Sequence, residues 1–180
     1  MELFTIDIVE QGWLDGSSSE QDLCSHGRIK LVIDDQLISP ADEEYGISES
    51  ALALLRTLEH DHSPEHPIAE GLIFHGCGTM LMLGCPIGFD WSVEHVPGQV
   101  RIANVVRYDT TSESDAVHFP DLAVEVPDEQ YRQQIVKFAD EAKTLFDGIT
   151  KTFYDDEDRE RYEEFWAEFE TLLSRARHKS

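Results

Sequence analysis

Positive charge is the scarcest resource in this chain. There are 14 Lys and Arg against 37 Asp and Glu in 180 residues, a net charge of −23. Residues 1–120 hold 21 acids and 5 bases, a net of −16, while residues 121–180 hold 16 acids and 9 bases, a net of −7. Affinity for nucleic acid rests mainly on Lys and Arg meeting phosphates, so no nucleic-acid partner is expected. The same field repels anionic lipid surfaces. It favours a basic protein, a metal ion or a cationic ligand, and it also serves plain solubility. Cysteine is scarce too: Cys24, Cys77 and Cys85 are an odd number at irregular spacing, which argues against a secreted disulfide framework. The opening MELFTIDIVEQ carries acids where a secretion signal needs bases, and no apolar run approaches the roughly 20 residues of a membrane span. The expected home is the reducing cytoplasm. No internal repeat and no long Pro/Ser-rich linker divides the chain. The expectation is one α+β domain over 1–180, strand-rich over 1–126 and helical over 127–178.

Enough apolar material is present to fold it. Hydrophobic residues make up 41% and aromatics 9%, too many for a disordered acidic chain. Alternation predicts a strand around Leu3–Val9 and a second over Arg28–Asp35, with Gly16–Gly27 between them as a mobile loop. Ser48 is the expected N-cap of a first helix carrying Ala51, Leu52, Leu55 and Leu58 on one stripe; His60–Pro67 ends it. A hairpin follows. Phe89, Trp91, Val93 and His95 alternate on one strand and Val100, Ile102, Asn104, Val106 and Tyr108 on the next, around a Pro97-Gly98 turn. That register sets His95 opposite Val100, Val93 opposite Ile102 and Trp91 opposite Asn104. A strand pair or bent strand over Ala116–Val126 is interrupted at Pro120. Pro127-Asp128 opens a helix with Tyr131, Ile135, Phe138, Ala142, Leu145 and Phe146 on its stripe. Asp155 or Asp156 caps another, with Tyr162, Phe165, Trp166, Phe169, Leu172 and Leu173 on its stripe. The expected fold is therefore α+β: a mainly antiparallel sheet, one helix in the N-terminal third, and two C-terminal helices packed on it.

Four constellations could carry chemistry. His60, His62 and His66 lie within seven residues, with Asp61 and Glu65 among them, and could hold zinc, nickel or copper; the spacing matches no established zinc signature, and a polar loop at a helix C-terminus explains it as well. Cys77 with His75 has the residue types of a cysteine hydrolase, but no helix N-terminus is at hand to activate the thiol. Trp91, His95, Asn104 and Tyr108 would line a sheet pocket for a small ligand, or be hydrogen-bonded core. Asp34, Asp35, Asp42, Glu43 and Glu44 form a negative patch suited to a basic partner. The expectation is no cofactor, no metal and no catalytic group.

The run IFHGCGTMLMLGCPIGFDWSVEH…VRIANVVRYD, within residues 73–109, resembles uncharacterised small acidic cytoplasmic proteins of bacteria, some of which act as immunity proteins that neutralise a toxin. The Pro-Tyr and Asn-Gly signature of the largest immunity superfamily is absent, so the resemblance transfers no functional residue. It implies an acidic protein-binding module that neutralises a basic toxin domain. The alternatives are a hydrolase or metal-dependent enzyme using the histidine cluster or Cys77 with His75, and a small-ligand sensing domain.

Overall fold

The computed structural model of the protein describes residues 2–69, 71–75, 85–109 and 115–179. Strand β1 (Phe4–Gly12) pairs antiparallel with β2 (His26–Ile33), and β2 turns into β3 (Gln36–Pro40). A two-residue strand β4 (Tyr45–Gly46) returns to the start of β2 and leads into helix α1 (Ile47–Arg56). The second sheet runs β5 (Ile73–His75), β6 (Cys85–Val96), β7 (Gln99–Tyr108) and β8 (Val117–Phe119), with β9 (Val124–Pro127) also on β7. Helices α2 (Asp128–Thr144) and α3 (Asp156–His178) complete the fold. The architecture is α+β, with antiparallel sheets, one early helix and two late ones, as the sequence pattern predicts.

The helices form where the apolar period demands, except that α2 ends at Thr144, so Leu145 and Phe146, expected on its stripe, lie half-buried in the turn beyond it. In α2, Tyr131, Ile135, Phe138, Ala139 and Ala142 are buried; in α3, Phe165, Phe169, Leu173 and Ala176 are. Asp155 caps α3 by accepting the Asp158 N–H at 2.9 Å. Helix α1 departs from expectation. Gly46, not Ser48, is its N-cap, and the helix closes at Arg56. Ser48 lies inside the helix, where its hydroxyl accepts the Ser25 N–H at 3.0 Å and donates to Glu49 at 2.7 Å. The Arg56 guanidinium grips Glu168 of α3 through two hydrogen bonds of 2.6 and 2.8 Å. One continuous core runs from Phe4 in β1 through Trp91 and Ile102 in the second sheet to Leu173 in α3.

Two features of the first sheet are set by single residues. β1 is an edge strand, and exposed edge amides invite unwanted pairing. Here Gln130 and Gln134, four residues apart on α2, accept the N–H groups of Leu3 (3.0 Å) and Ile6 (3.4 Å). On β2, Gly27 is required by close approach: a Cβ there would stand 1.9 Å from the Glu10 carbonyl oxygen, beside the bulge in β1.

The β6–β7 hairpin keeps the predicted register near its turn, with His95 opposite Val100 and Val93 opposite Ile102. Beyond that it changes. Asn104 takes a left-handed φ of 53° and becomes the extra residue of a β-bulge opposite Trp91. Because side chains alternate, the one-residue insertion flips the face. Val105 takes the buried place next to Trp91, and Asn104 points outward to Ser92 at 3.1 Å. The break between β8 and β9 falls at the same level, since β8 pairs with Val105–Arg107 and β9 with Gln99–Ile102.

Candidate functional site

The acidic patch is split by a strand. Asp34 and Asp35 form the turn between β2 and β3, both with left-handed φ (48° and 61°), as a two-residue type I′ hairpin requires. The strand over Arg28–Asp35 therefore ends at Ile33. Asp42, Glu43 and Glu44 follow β3, all exposed. Five strand residues at about 3.3 Å each separate the two groups, roughly 17 Å, so they act as two sites and not one. Four of the five bases in residues 1–120 are already engaged: Arg28 with Glu10, Arg56 with Glu168, Arg101 with Glu94, and Arg107 with Asp109. Among the described residues, none of these five carboxylates has an ion-pair partner. Their field is felt locally. Tyr45 is pushed well above the ordinary tyrosine range, first by burial and then by Glu43, Asp42 and Asp109.

The histidine cluster does not converge. His60 and His66 are exposed, whereas His62 is 2% exposed. The backbone of His62 exchanges two hydrogen bonds with Val93, at 2.9 and 2.8 Å. Its Nδ1 accepts the Ile68 N–H at 3.2 Å, and an amide can only donate. Nδ1 is therefore bare, and Nε2 carries the proton that it donates to Asp90 at 2.8 Å. A second pair crosses the first: Asp61 Oδ1 accepts both the backbone N–H (2.9 Å) and Nδ1 (2.8 Å) of His95, which holds Asp61 below the usual carboxylate range. The loop after α1 is thus buttoned onto β6 by two crossed His–Asp contacts. Among the described residues no group of three His, Cys, Asp or Glu side chains converges as a metal cage would.

The four residues expected to share a sheet pocket do not. Trp91 is 1% exposed in the core, His95 is held by Asp61, Asn104 lies on the opposite face because of the bulge, and Tyr108 sits near the end of β7. His75 closes β5, and Cys77 lies outside the described residues.

Two features escaped the sequence reading. The first is a buried polar nest in what looked like a mobile loop. Asp22 accepts the N–H groups of Leu14 (2.7 Å) and Cys24 (3.2 Å) and faces His26 Nε2 at 3.4 Å. Burial alone would lower the His26 pKa, but Asp22, with Glu49 and Glu44 beyond it, outweighs that and raises it. For Asp22, burial is outweighed in the other direction by His26 and the two amides, and its pKa is lowered. Lys151 pins the loop by donating to the carbonyls of Ser19 (2.7 Å) and Asp22 (2.6 Å).

The second is an aromatic groove between α2 and α3. Phe146, Tyr162 and Trp166 form its floor and Asp147, Glu163 and Glu170 its rim, around an open volume of about 370 Å³. The floor belongs to a longer run of rings: Trp13 meets Phe146 edge-on at 4.9 Å, Phe146 meets Trp166 at 4.7 Å, and Trp166 meets Phe169 at 4.9 Å. The Lys151 ammonium sits 3.7 Å from the centre of the Trp13 ring and 4.8 Å from that of Phe146. Spacing on α2 and α3 marked these aromatics as core, but spacing alone does not say which end of a stripe stays open.

Comparison with family models, with curated proteins and with solved structures finds no match. The functional reading therefore rests on the residues. Among the described residues, no helix is long and apolar enough to cross a membrane.

Proposed function

We propose that the protein is an acidic protein-binding module, an immunity-type protein that neutralises a basic toxin domain by occupying its cationic surface. One observation carries this reading: the exposed carboxylates at the two ends of β3 have no ion-pair partner among the described residues, and four of the five bases of that half of the chain are bound elsewhere. Like charges side by side within each group repel one another and oppose the folded state, and a cationic partner relieves that repulsion on binding. Toxins that cut nucleic acid need a basic surface to hold phosphates. An acidic protein is steered onto such a surface and covers it.

The enzyme alternatives gain no specific support. His62, the central member of the cluster, spends both ring nitrogens on holding its own loop. A ligand-sensing pocket built on Trp91, His95, Asn104 and Tyr108 would need one face, which the bulge denies.

Affinity capture from the source cells, with wild type beside the Asp42→Lys/Glu43→Lys/Glu44→Lys variant, tests the proposal. The expected result is a basic protein retained by wild type and lost by the variant. A partner that is neutral or acidic, or one that both retain equally, would overturn it.

A further inference from the structure

We infer that the groove between α2 and α3 is a seat for an arginine side chain of the basic partner, stacked on Trp166 between the carboxylates of Glu163 and Glu170. This rests on the reading of the protein as a binder of a basic partner and assigns the contact to a place the acidic loops do not include. Glu163 and Glu170 are seven residues apart on α3, two turns and about 10 Å at 1.5 Å per residue, and fall on nearly the same line of the helix. Trp166 lies between them, with Tyr162 beside it and Phe146 facing it from the turn after α2. A planar cation entering there meets an indole with a carboxylate on either side.

Charge complementarity chooses the occupant. The rim holds three carboxylates and one cation, Lys143, which is paired with Glu170. Asp147 and Glu163 have no ion-pair partner among the described residues. An apolar ligand would leave these charges desolvated, whereas a cation is attracted both by them and by the ring faces. The protein already uses the chemistry: the neighbouring rings Trp13 and Phe146 hold the Lys151 ammonium. Arginine fits the open seat better than lysine, because its guanidinium stacks flat on an indole and forks onto a carboxylate at the same time.

The test uses the full chain, labelled with nitrogen-15, and two probes: a short peptide of alternating glycine and arginine and its lysine counterpart, both at low salt. The expected result is a shift of the Trp166 indole signal, assigned with Trp166→Phe, while the buried Trp91 indole stays in place. The arginine peptide is expected to bind severalfold tighter than the lysine one. Glu163→Gln/Glu170→Gln should weaken it about tenfold, whereas the equal charge change Asp34→Asn/Asp35→Asn should weaken it less than about twofold. The four carboxylate substitutions are at exposed positions, so folding is not at stake in them. Binding without a Trp166 shift, with equal losses from both double variants, overturns the groove and leaves the reading of a basic partner standing. Equal affinity for the two peptides overturns the arginine seat. No binding of either peptide overturns both.

Discussion

His62→Ala separates a structural histidine from a metal ligand. The substitution removes two contacts at once. Asp90, whose side chain is 19% exposed, loses the proton it accepts at 2.8 Å, and the Ile68 N–H loses its acceptor at 3.2 Å. Leaving one buried or half-buried polar group unpaired costs about 1–3 kcal/mol. Water reaches Asp90 and offsets part of that loss, so the pair together should cost about 2–4 kcal/mol. At 2–4 °C per kcal/mol for a chain of this size, the melting temperature should fall by about 4–16 °C. His60 and His66 are exposed, so His60→Ala and His66→Ala should each change stability by less than about 0.5 kcal/mol. Urea unfolding followed by tryptophan fluorescence measures all three, and the same series repeated with a chelator completes it. Equal losses at the three histidines, or a wild-type midpoint that the chelator lowers, would refute the reasoning and restore the metal site.

Phe138→Ala, at a fully buried position, should cost about 3–5 kcal/mol, whereas Trp166→Ala should cost less because the indole floors an open groove; comparable urea midpoints for the two would contradict the core boundary drawn here. The Asp22–His26 pair should make stability depend on pH in a defined window. The raised His26 pKa means that its contribution is fully present below its ordinary value of 6.5 and is lost as pH rises through the folded-state value. The lowered Asp22 pKa means the reverse at the acid end: its contribution is present above 3.8 and is lost as pH falls through the folded-state value. The gap in stability between wild type and His26→Gln should therefore be widest near pH 5 and narrow by pH 8; a gap that widens at pH 8 would reverse the sign of the argument. Lys151→Met should speed amide exchange in residues 14–24, because the loop loses the two carbonyl contacts and the stacking on Trp13; unchanged protection would show that the loop is held by other means.

Periodic features were legible in the sequence. The stripe of α2 as far as Ala142, that of α3, the β6–β7 turn and its first rungs, and the break at Pro120 all follow from local pattern and turn chemistry. What failed depended on single residues in contexts that pattern does not encode. Asn104 alternates correctly with Val100 and Ile102, yet its tolerance of left-handed φ admits a bulge that sends it to the other face. Ser48 has the chemistry of an N-cap, but the Ser25 amide claims its hydroxyl from across the fold. The acids between Asp34 and Glu44 looked continuous because the short strand β3 between them, QLISP, has little alternation to announce it. The polar nest of Asp22 and His26 lay in a stretch whose serines and glycines read as loop, while its anchor, Lys151, is far away in sequence. The acidic composition gave the direction of the functional reading. Only the contacts show which carboxylates are left uncompensated.

The association rate of the captured partner, followed by stopped flow from roughly 0.05 to 0.5 M salt, tests the central claim most directly. Exposed charges act mainly on the on-rate and are screened over about 8 Å at physiological ionic strength. The expected result is a steep fall of the on-rate with salt for wild type, a slower and flatter dependence for Asp42→Lys/Glu43→Lys/Glu44→Lys, and off-rates that change much less. An on-rate indifferent to salt, or one unchanged by the charge reversal, would contradict the account and leave the acidity as a device for solubility alone.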